Sequence, residues 1–556
     1  MEKQWWKEAV VYQVYPRSFM DTNGDGTGDL LGVLSKLDYI QDLGIDVIWL
    51  SPVYQSPNDD NGYDISDYQK IMDEFGTMED FDELLREVHN RGMKLIMDLV
   101  INHTSDEHRW FRESKSSKQN PYRDYYIWHP GKEGKEPNNW ASIFEGSIWE
   151  YDEKTEEYYM HVFSKKQPDL NWENPKVRLE LYNMVNWWLD KGIDGFRIDA
   201  ISHIKKVPGY PDLPEIEGHT FVPSHEGHRN REGIQTFLDE LVKETFSNYD
   251  IMTVGEANGV SVEEADQWVG EKDGKFNMIF QFEHVGLWEK SKEKVDIHEL
   301  KEIFTNWQTS LNGKGWNALF LENHDLPRTV SILGDDGPYR VESSKCLATL
   351  YFFMQGTPFI YQGQEIGMTN VQFPSIEDYD DVAIKSFYKK ETERGVPHEE
   401  VMSVIWRTGR DNSRTPMQWS AEDEAGFTTG HPWLKVNPNF REINVAAEQN
   451  NRDSIFHYYR KMIQIRKQEK VLIYGDYKPF LEEHDQIFSY IRSGEEGKYL
   501  IIANLSSERA LFNWSGESAL NQVLLCNYAG PLESSLLQPF EARVYKIGEG
   551  LDDFFS

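Results

Sequence analysis

Eight short apolar runs, most followed by a polar residue and a helix-like stretch, constrain this chain more than any other feature. They are AVVYQVY (9–15), IDVIWL (45–50), KLIMDLVI (94–101), DGFRID (194–199), IMTVGE (251–256), FNMIFQF (276–282), NALFLEN (317–323) and PFIYQGQE (358–365). Amphipathic segments lie between them. FDELLREVHNRG (81–92) has Phe81, Leu84, Leu85 and Val88 at helical spacing and Gly92 as a stop, and VRLELYNMVNWWLDKG (177–192) follows the same logic. Strand and helix in alternation specify a parallel sheet, because a parallel return needs a crossover. Eight repeats over roughly 360 residues predict a (β/α)8 barrel rather than a doubly wound open sheet.

Two intervals are too long for simple connections. Residues 104–171 are turn-rich and aromatic and predict an inserted subdomain. Residues 366–450 predict an extended insertion, with charged helix-like sequence at 379–401 and then the irregular DNSRTPMQWS. From about 480 the pattern changes to alternating short strands, QIFSYIRS, KYLIIANLS, ALFNWS and ARVYKI, which predict an antiparallel β domain. The expected division is a barrel over 1–103 and 172–478, a subdomain over 104–171 and a C-terminal β-sandwich over 479–556.

Charge narrows the partners. With 58 Lys+Arg against 94 Asp+Glu the net charge is −36, which disfavours nucleic acid, anionic membranes and, less strongly, heavily phosphorylated substrates. Cys346 and Cys526 make no disulfide framework and offer no metal-binding spacing. The N-terminus has no secretory h-region and no run approaches about 18 apolar residues. The expectation is a cytoplasmic protein without nucleic-acid or membrane partners, acting as a monomer or weak homodimer.

In a barrel, chemistry collects at the C-terminal ends of the strands. Asn102 and His103, Arg197 and Asp199, Glu256, and His324 with Asp325 stand there. Three carboxylates from three strands at one mouth suit glycosidic cleavage, in which one carboxyl attacks carbon and another donates a proton. Arg197 beside Asp199 would keep that carboxylate ionised, and apolar walls would hold a proton on Glu256.

GFRIDA (195–200), GEAN (255–258), ENHD (322–325) and DLVINH (98–103) resemble, in order, motifs of the α-amylase superfamily, glycoside hydrolase family 13. QPDLNW (167–172) resembles the motif of its oligo-1,6-glucosidase and α-glucosidase branch. The resemblance implies that Asp199 is the nucleophile, Glu256 the acid/base and Asp325 a binder of sugar hydroxyls. Arg197, His103 and His324 would grip the nucleophile and the sugar, and Tyr63 would stack beneath the ring at the cleaved position. It further implies that Asp60 in PNDDNGYD and Arg414 in DNSRTPMQW hold the far hydroxyls of a terminal glucose, giving exo action. Phe144, Phe163 and Gln167 would line the same pocket.

On the aglycone side the resemblance points to Ala200, where α-1,6-preferring relatives usually carry Val, and to Asn258, where they commonly carry Pro. Both departures predict a preference for maltose and short malto-oligosaccharides, with His203 and Phe282 as further contacts. The alternatives are an oligo-1,6-glucosidase, a trehalose-6-phosphate hydrolase using Lys205, Lys206, Arg229 and Arg231, and a sucrose isomerase or transglucosylase. No organic cofactor is expected. The loop DTNGDGTGD sets Asp21, Asn23, Asp25, the Thr27 carbonyl and Asp29 at alternate positions of an EF-hand-like cation loop, although Gly32 replaces the bidentate Glu of its last position. One structural Ca2+ or Mg2+ is expected there.

Overall fold

The computed structural model describes residues 2–547 apart from 145, 273, 291–294, 513–519, 531 and 534. Each expected barrel strand is present: β1 (Val11–Val14), β2 (Val47–Leu50), β3 (Lys94–Val100), β4 (Gly195–Asp199), β5 (Met252–Glu256), β6 (Met278–Phe280), β7 (Ala318–Leu319) and β8 (Thr357–Tyr361). Their order in the sheet is β6-β5-β4-β3-β2-β1-β8-β7. A parallel bridge between Ile279 and Asn317 joins the two ends. Closure leaves no open sheet edge.

Alternation along each strand divides the barrel interior. Val11, Val47, Trp49, Ile96, Met252, Val254, Met278 and Phe359 belong to one dry apolar cluster that fills it. The next inward positions are polar. Arg197 lies opposite Asp98 of β3 and Val254 of β5, and Asp199 follows two residues on, on the same face. The outer faces of the strands pack against the helices in a second, larger core.

Helix α1 (Met78–Asn90) buries Phe81, Leu84, Leu85 and Val88, as the spacing predicts. It begins three residues before 81 because Thr77 and Asp80 form a capping box. Helix α2 (Pro175–Lys191) starts on an Asn174 cap with Pro at its first turn and stops at Gly192, whose φ is 104°.

The inserted subdomain holds a three-stranded antiparallel sheet with Glu157–Met160 between Trp128–His129 and Trp149–Asp152. It does not end at residue 171. Trp140–Ala141 pairs in parallel with Val222–Pro223, so part of the loop after β4 belongs with it. The charged stretch 379–401 lies within two helices, α3 (Val382–Glu393) and α4 (His398–Thr408). Gly395, at φ 87°, and Pro397 break it.

The C-terminal region is a five-stranded antiparallel sheet plus a two-stranded ribbon. Its strands are β9 (Asp476–Phe480), β10 (Ile487–Gly494), β11 (Gly497–Asn504), β12 (Leu520–Cys526) and β13 (Ala542–Ile547), in the order β9-β10-β11-β13-β12. It begins at 476, three residues before the expected boundary. The run ALFNWS enters as Ala510–Leu511, but its last three residues and the expected tail 548–556 lie outside the described residues. Cys346 and Cys526 are both free. Among the described residues no helix is long and apolar enough to cross a membrane.

Candidate active site

A cavity of about 150 Å3 opens at the C-terminal ends of the strands, lined by Asp199, Glu256, Asp325, Asp60, Tyr63 and His103, with Phe144, Phe163, Ala200, His203 and Asn258. Eleven of the residues read from the sequence therefore meet in one place. Two further lining residues, Ile143 and Arg410, were not foreseen.

Arg197 organises the cleavage end. Its Nη1 donates to Asp98 Oδ1 at 2.8 Å and to Asp199 Oδ1 at 2.6 Å, and its Nη2 lies 2.8 Å from Glu256 Oε2. Asp98, fully buried on β3, escaped the sequence reading although it lies within DLVINH. It also accepts bonds from Trp49 Nε1 and from the Tyr63 hydroxyl. Burial pushes the Asp199 carboxyl well above the usual carboxylate range, and the neighbouring Glu256 adds to the rise while Arg197 opposes it. The expectation that Arg197 keeps Asp199 ionised therefore meets an opposing effect. One guanidinium shared by three carboxylates does not offset their desolvation and mutual repulsion.

After Asp199 the chain turns at Ala200, a non-glycine residue at φ 45° and ψ 30°. That left-handed conformation is costly for a side chain. It directs the Ala200 N–H onto Glu256 Oε2 at 2.9 Å, which fixes the second carboxyl against the first.

The far end is organised by a second arginine, and it is Arg410. Its Nη2 donates to Asp60 Oδ1 and its Nη1 to Asp325 Oδ1, both at 3.2 Å, and its Nε donates to Asp381 at 3.0 Å. Arg414, the arginine selected from the sequence, is 1% exposed and stands behind Asp325. It donates to Asp325 Oδ1 at 2.8 Å and to the His324 carbonyl. The turn Asp411–Arg414 separates the two arginines by four residues, so both reach Asp325 and only the first reaches the cavity. That spacing was the available signal. Asp381, buried at the cap of α3, was equally invisible until its long-range partner was placed.

Asp325 keeps one-third of its side chain exposed. Burial works against its charge, yet His324, Arg410 and Arg414 hold its carboxyl well below the usual range. His324 is buried behind Tyr63, their rings 5.1 Å apart and nearly parallel, with its Nδ1 accepting from Gln13 Nε2. Gln167 is fully buried and props Asp60 and the Tyr63 carbonyl from behind instead of lining the cavity. Burial depresses His103 to about 4, so the ring is neutral, and its Nε2–H donates to the Tyr63 carbonyl. Phe282 packs edge-on against Phe320 at the barrel core and is not brought into the cavity.

The loop carrying Asp60 and Tyr63 is shaped by Asp64. Its carboxyl accepts from Ser56 Oγ and from the backbone N–H of Asp59 and Asp60, while Asn58, Asn61 and Gly62 take positive φ. Of the lysines considered for a phosphate group, Lys206 is buried against Asp169 and Lys205 pairs with Glu173. Arg229 donates to Asn258 Oδ1, and Arg231 to the Arg229 and Glu226 carbonyls.

At the expected cation loop the carboxylates serve the backbone. Asp21 accepts from the N–H groups of Asn23, Gly24 and Gly26, Asn23 from Asp25, Asp25 from Thr27, and Asp29 from Thr22 and Gly32. Among the described residues no group of three or more His, Cys, Asp or Glu side chains is gathered to hold a metal. The expected set also includes the Asn23 side chain and the Thr27 carbonyl, and no chemistry is routed through this loop.

A closed barrel with two facing carboxyl groups and an ion-paired wall at its mouth defines an enzyme that cleaves glycosidic bonds. The sequence model of the alpha-amylase catalytic domain matches residues 13–475. The chain is 58% identical to the probable oligo-1,6-glucosidase 3 of Bacillus subtilis, over 98% of this chain and 100% of that one. It is 56% identical to the oligo-1,6-glucosidase of Bacillus cereus with the same coverage. Among solved structures, isomaltulose synthase from Erwinia rhapontici superposes with a TM-score of 0.93 at 45% identity, covering 98% of this chain and 100% of the other. A trehalose-6-phosphate hydrolase of Bacillus licheniformis does so with a TM-score of 0.91 at 44% identity and the same coverage. The chain belongs to the alpha-amylase family and is a glycoside hydrolase.

Proposed function

We propose that this hydrolase is a retaining, exo-acting α-glucosidase that removes glucose from the non-reducing ends of short gluco-oligosaccharides, with the α-1,6 link as its main substrate. The interlocked wall of Asp60, Asp325 and Arg410, backed by Gln167, Asp381 and Arg414, carries the exo reading, because it gives a continuing chain no exit. Asp199 and Glu256 sit on the two nitrogens of one guanidinium, which favours the closely spaced pair of a retaining enzyme. In the first step an Asp199 oxygen bonds to C1 as the C1–O bond breaks, and Glu256 gives its proton to the leaving oxygen. In the second, Glu256 takes a proton from water, the water oxygen bonds to C1 and Asp199 departs as carboxylate. Two inversions return α-glucose.

The linkage expected from Ala200 and Asn258 was α-1,4. The relatives favour the alternative, since those at 55–58% identity carry the name oligo-1,6-glucosidase and streptococcal ones at 49% are glucan 1,6-alpha-glucosidases. The α-1,4 preference stands as a second reading because both residues line the cavity. Initial rates on isomaltose and maltose side by side decide between them. A higher kcat/KM on isomaltose supports the first reading and a higher value on maltose replaces it with the second. Ala200→Val is expected to shift the ratio toward isomaltose about tenfold, ~1.4 kcal/mol of differential transition-state binding. With Lys205 and Lys206 neutralised, a phosphorylated aglycone gains no lysine contact, and trehalose 6-phosphate is expected to be a poor substrate.

A further inference from the structure

The aglycone side of the cavity rests on a buried histidine pair that the two-step reaction does not use. His203 ends the turn Ile201–His203 after β4, lines the cavity, and packs its ring edge-on against Phe163. Its Nδ1 lies 2.8 Å from Nδ1 of His228, which is 0% exposed. His228 Nε2 lies 2.9 Å from Ser224 Oγ, and Ser224 Oγ lies 2.6 Å from the Ala141 carbonyl oxygen. Ser224 follows the ladder in which Val222–Pro223 pairs with Trp140–Ala141, so the inserted subdomain anchors this chain of contacts.

The hydrogens along it can be placed. A carbonyl only accepts, so the Ser224 hydroxyl donates to Ala141. Ser224 Oγ then accepts from His228 Nε2–H. Burial, with Lys206, His225 and Arg229 nearby, disfavours the charged form of both rings. A neutral His228 with its hydrogen on Nε2 has a bare Nδ1, to which His203 Nδ1–H donates. His203 is left neutral with a bare Nε2 on the ring edge turned away from His228. Asn258, which lines the same cavity, accepts on Oδ1 from Arg229 Nη1 at 3.2 Å, which leaves its NH2 group as its donor.

We propose that His228 and Ser224 are positioning residues that lock His203 in its Nδ1–H tautomer, so that its unprotonated Nε2 accepts a hydrogen bond from a hydroxyl of the leaving sugar. The proposal rests on the glucosidase reading and deepens it. The aglycone site then offers an acceptor from His203 and a donor from Asn258, which matches a pair of sugar hydroxyls. It disfavours an anion, because a lone pair faces it.

The test compares two leaving groups in the full-length enzyme. One is the disaccharide, maltose or isomaltose, that the wild type cleaves faster. The other is p-nitrophenyl α-glucoside, whose aglycone has no hydroxyl. Ser224→Ala is expected to lower kcat/KM about tenfold on the disaccharide and less than about twofold on the aryl glucoside, with Ser224→Thr restoring the disaccharide rate. Nitrogen-15 NMR of labelled histidine, with His203 assigned by its own variant, should show the Nδ1–H form in the wild type and a mixture in Ser224→Ala. Equal losses on both substrates, no loss on either, or an Nε2–H wild-type His203 would overturn the proposal. A wild type that cleaves neither substrate would overturn the glucosidase reading, and this proposal with it.

Discussion

Two arginine-centred clusters face each other across the mouth of the barrel, and they treat their carboxylates differently. Arg197, on strand β4, serves Asp98, Asp199 and Glu256 with no second cation in ion-pair contact with them among the described residues. Arg410, on the loop after α4, also serves three carboxylates, Asp60, Asp325 and Asp381, but Asp325 has Arg414 and His324 as well. The first cluster is short of positive charge, and Asp199 is pushed up. The second has two arginines for its three carboxylates, and Asp325 and Asp381 are held down although burial still pushes Asp60 up. Counting arginines against buried carboxylates thus separates the end where the bond is cleaved from the end where Asp325 meets neutral hydroxyls as a permanent charge.

The comparison is broken hardest at the cleavage end. Asp199→Asn and Glu256→Gln should each lower kcat/KM on a disaccharide by about 10^3-fold or more with circular dichroism unchanged, because nucleophile and acid/base are separate roles. Near-native turnover in either folded variant would dissolve the distinction.

Next in size is the gripping end. Arg410→Ala leaves Asp60, Asp325 and Asp381 short of their common partner and should lower kcat/KM by about 10^2-fold. It should also lower the melting temperature. Arg414→Lys, behind Asp325, should cost less activity. If the two effects were reversed, Arg414 would be the arginine that matters to the sugar.

A pH profile sharpens the contrast further. Asp199 must be ionised to attack, and its carboxyl lies above the ordinary value near 4. The acid limb of kcat/KM is therefore expected well above pH ~4. Stability runs the other way: a raised carboxyl favours the folded state below the unfolded pKa, and that contribution is lost as pH rises through the folded value. Asp325, being depressed, contributes stability above the ordinary value that is lost only as pH falls through its lower folded one. An acid limb near pH 4 would remove the proposed difference.

The smallest effect concerns a third acidic group, which has no arginine. Asp21 and Asp29 are 4% and 5% exposed, and neither they nor Asp25 forms an ion pair among the described residues. A cation at this loop is proposed as the missing charge. Chelation should then lower the melting temperature by a few degrees with little change in initial rate. An unchanged melting temperature would leave the Asx hydrogen bonds as the loop's sole support.

Much of this architecture is written in short-range pattern. A two-residue repeat places Arg197 and Asp199 on one face of β4, and a polar residue after each apolar run marks the strand ends where Glu256 and Asp325 stand. Those signals are local, so a reader needs only the strand period and the order of the motifs to reach the catalytic trio. Pairings between distant loops carry no such period. Asp60 meets Arg410 across 350 residues, Asp325 meets it across 85, and His203 meets His228 across 25 through a loop that detours past the subdomain. Whether Arg410 or Arg414 reaches the sugar depends on how a single helical turn is rotated against the barrel, and that rotation is set by the packing of two insertions around it. Burial pushes the Asp199 carboxyl up and disfavours the charged form of His203, because desolvation comes from everything packed around a group and not from its neighbours in sequence.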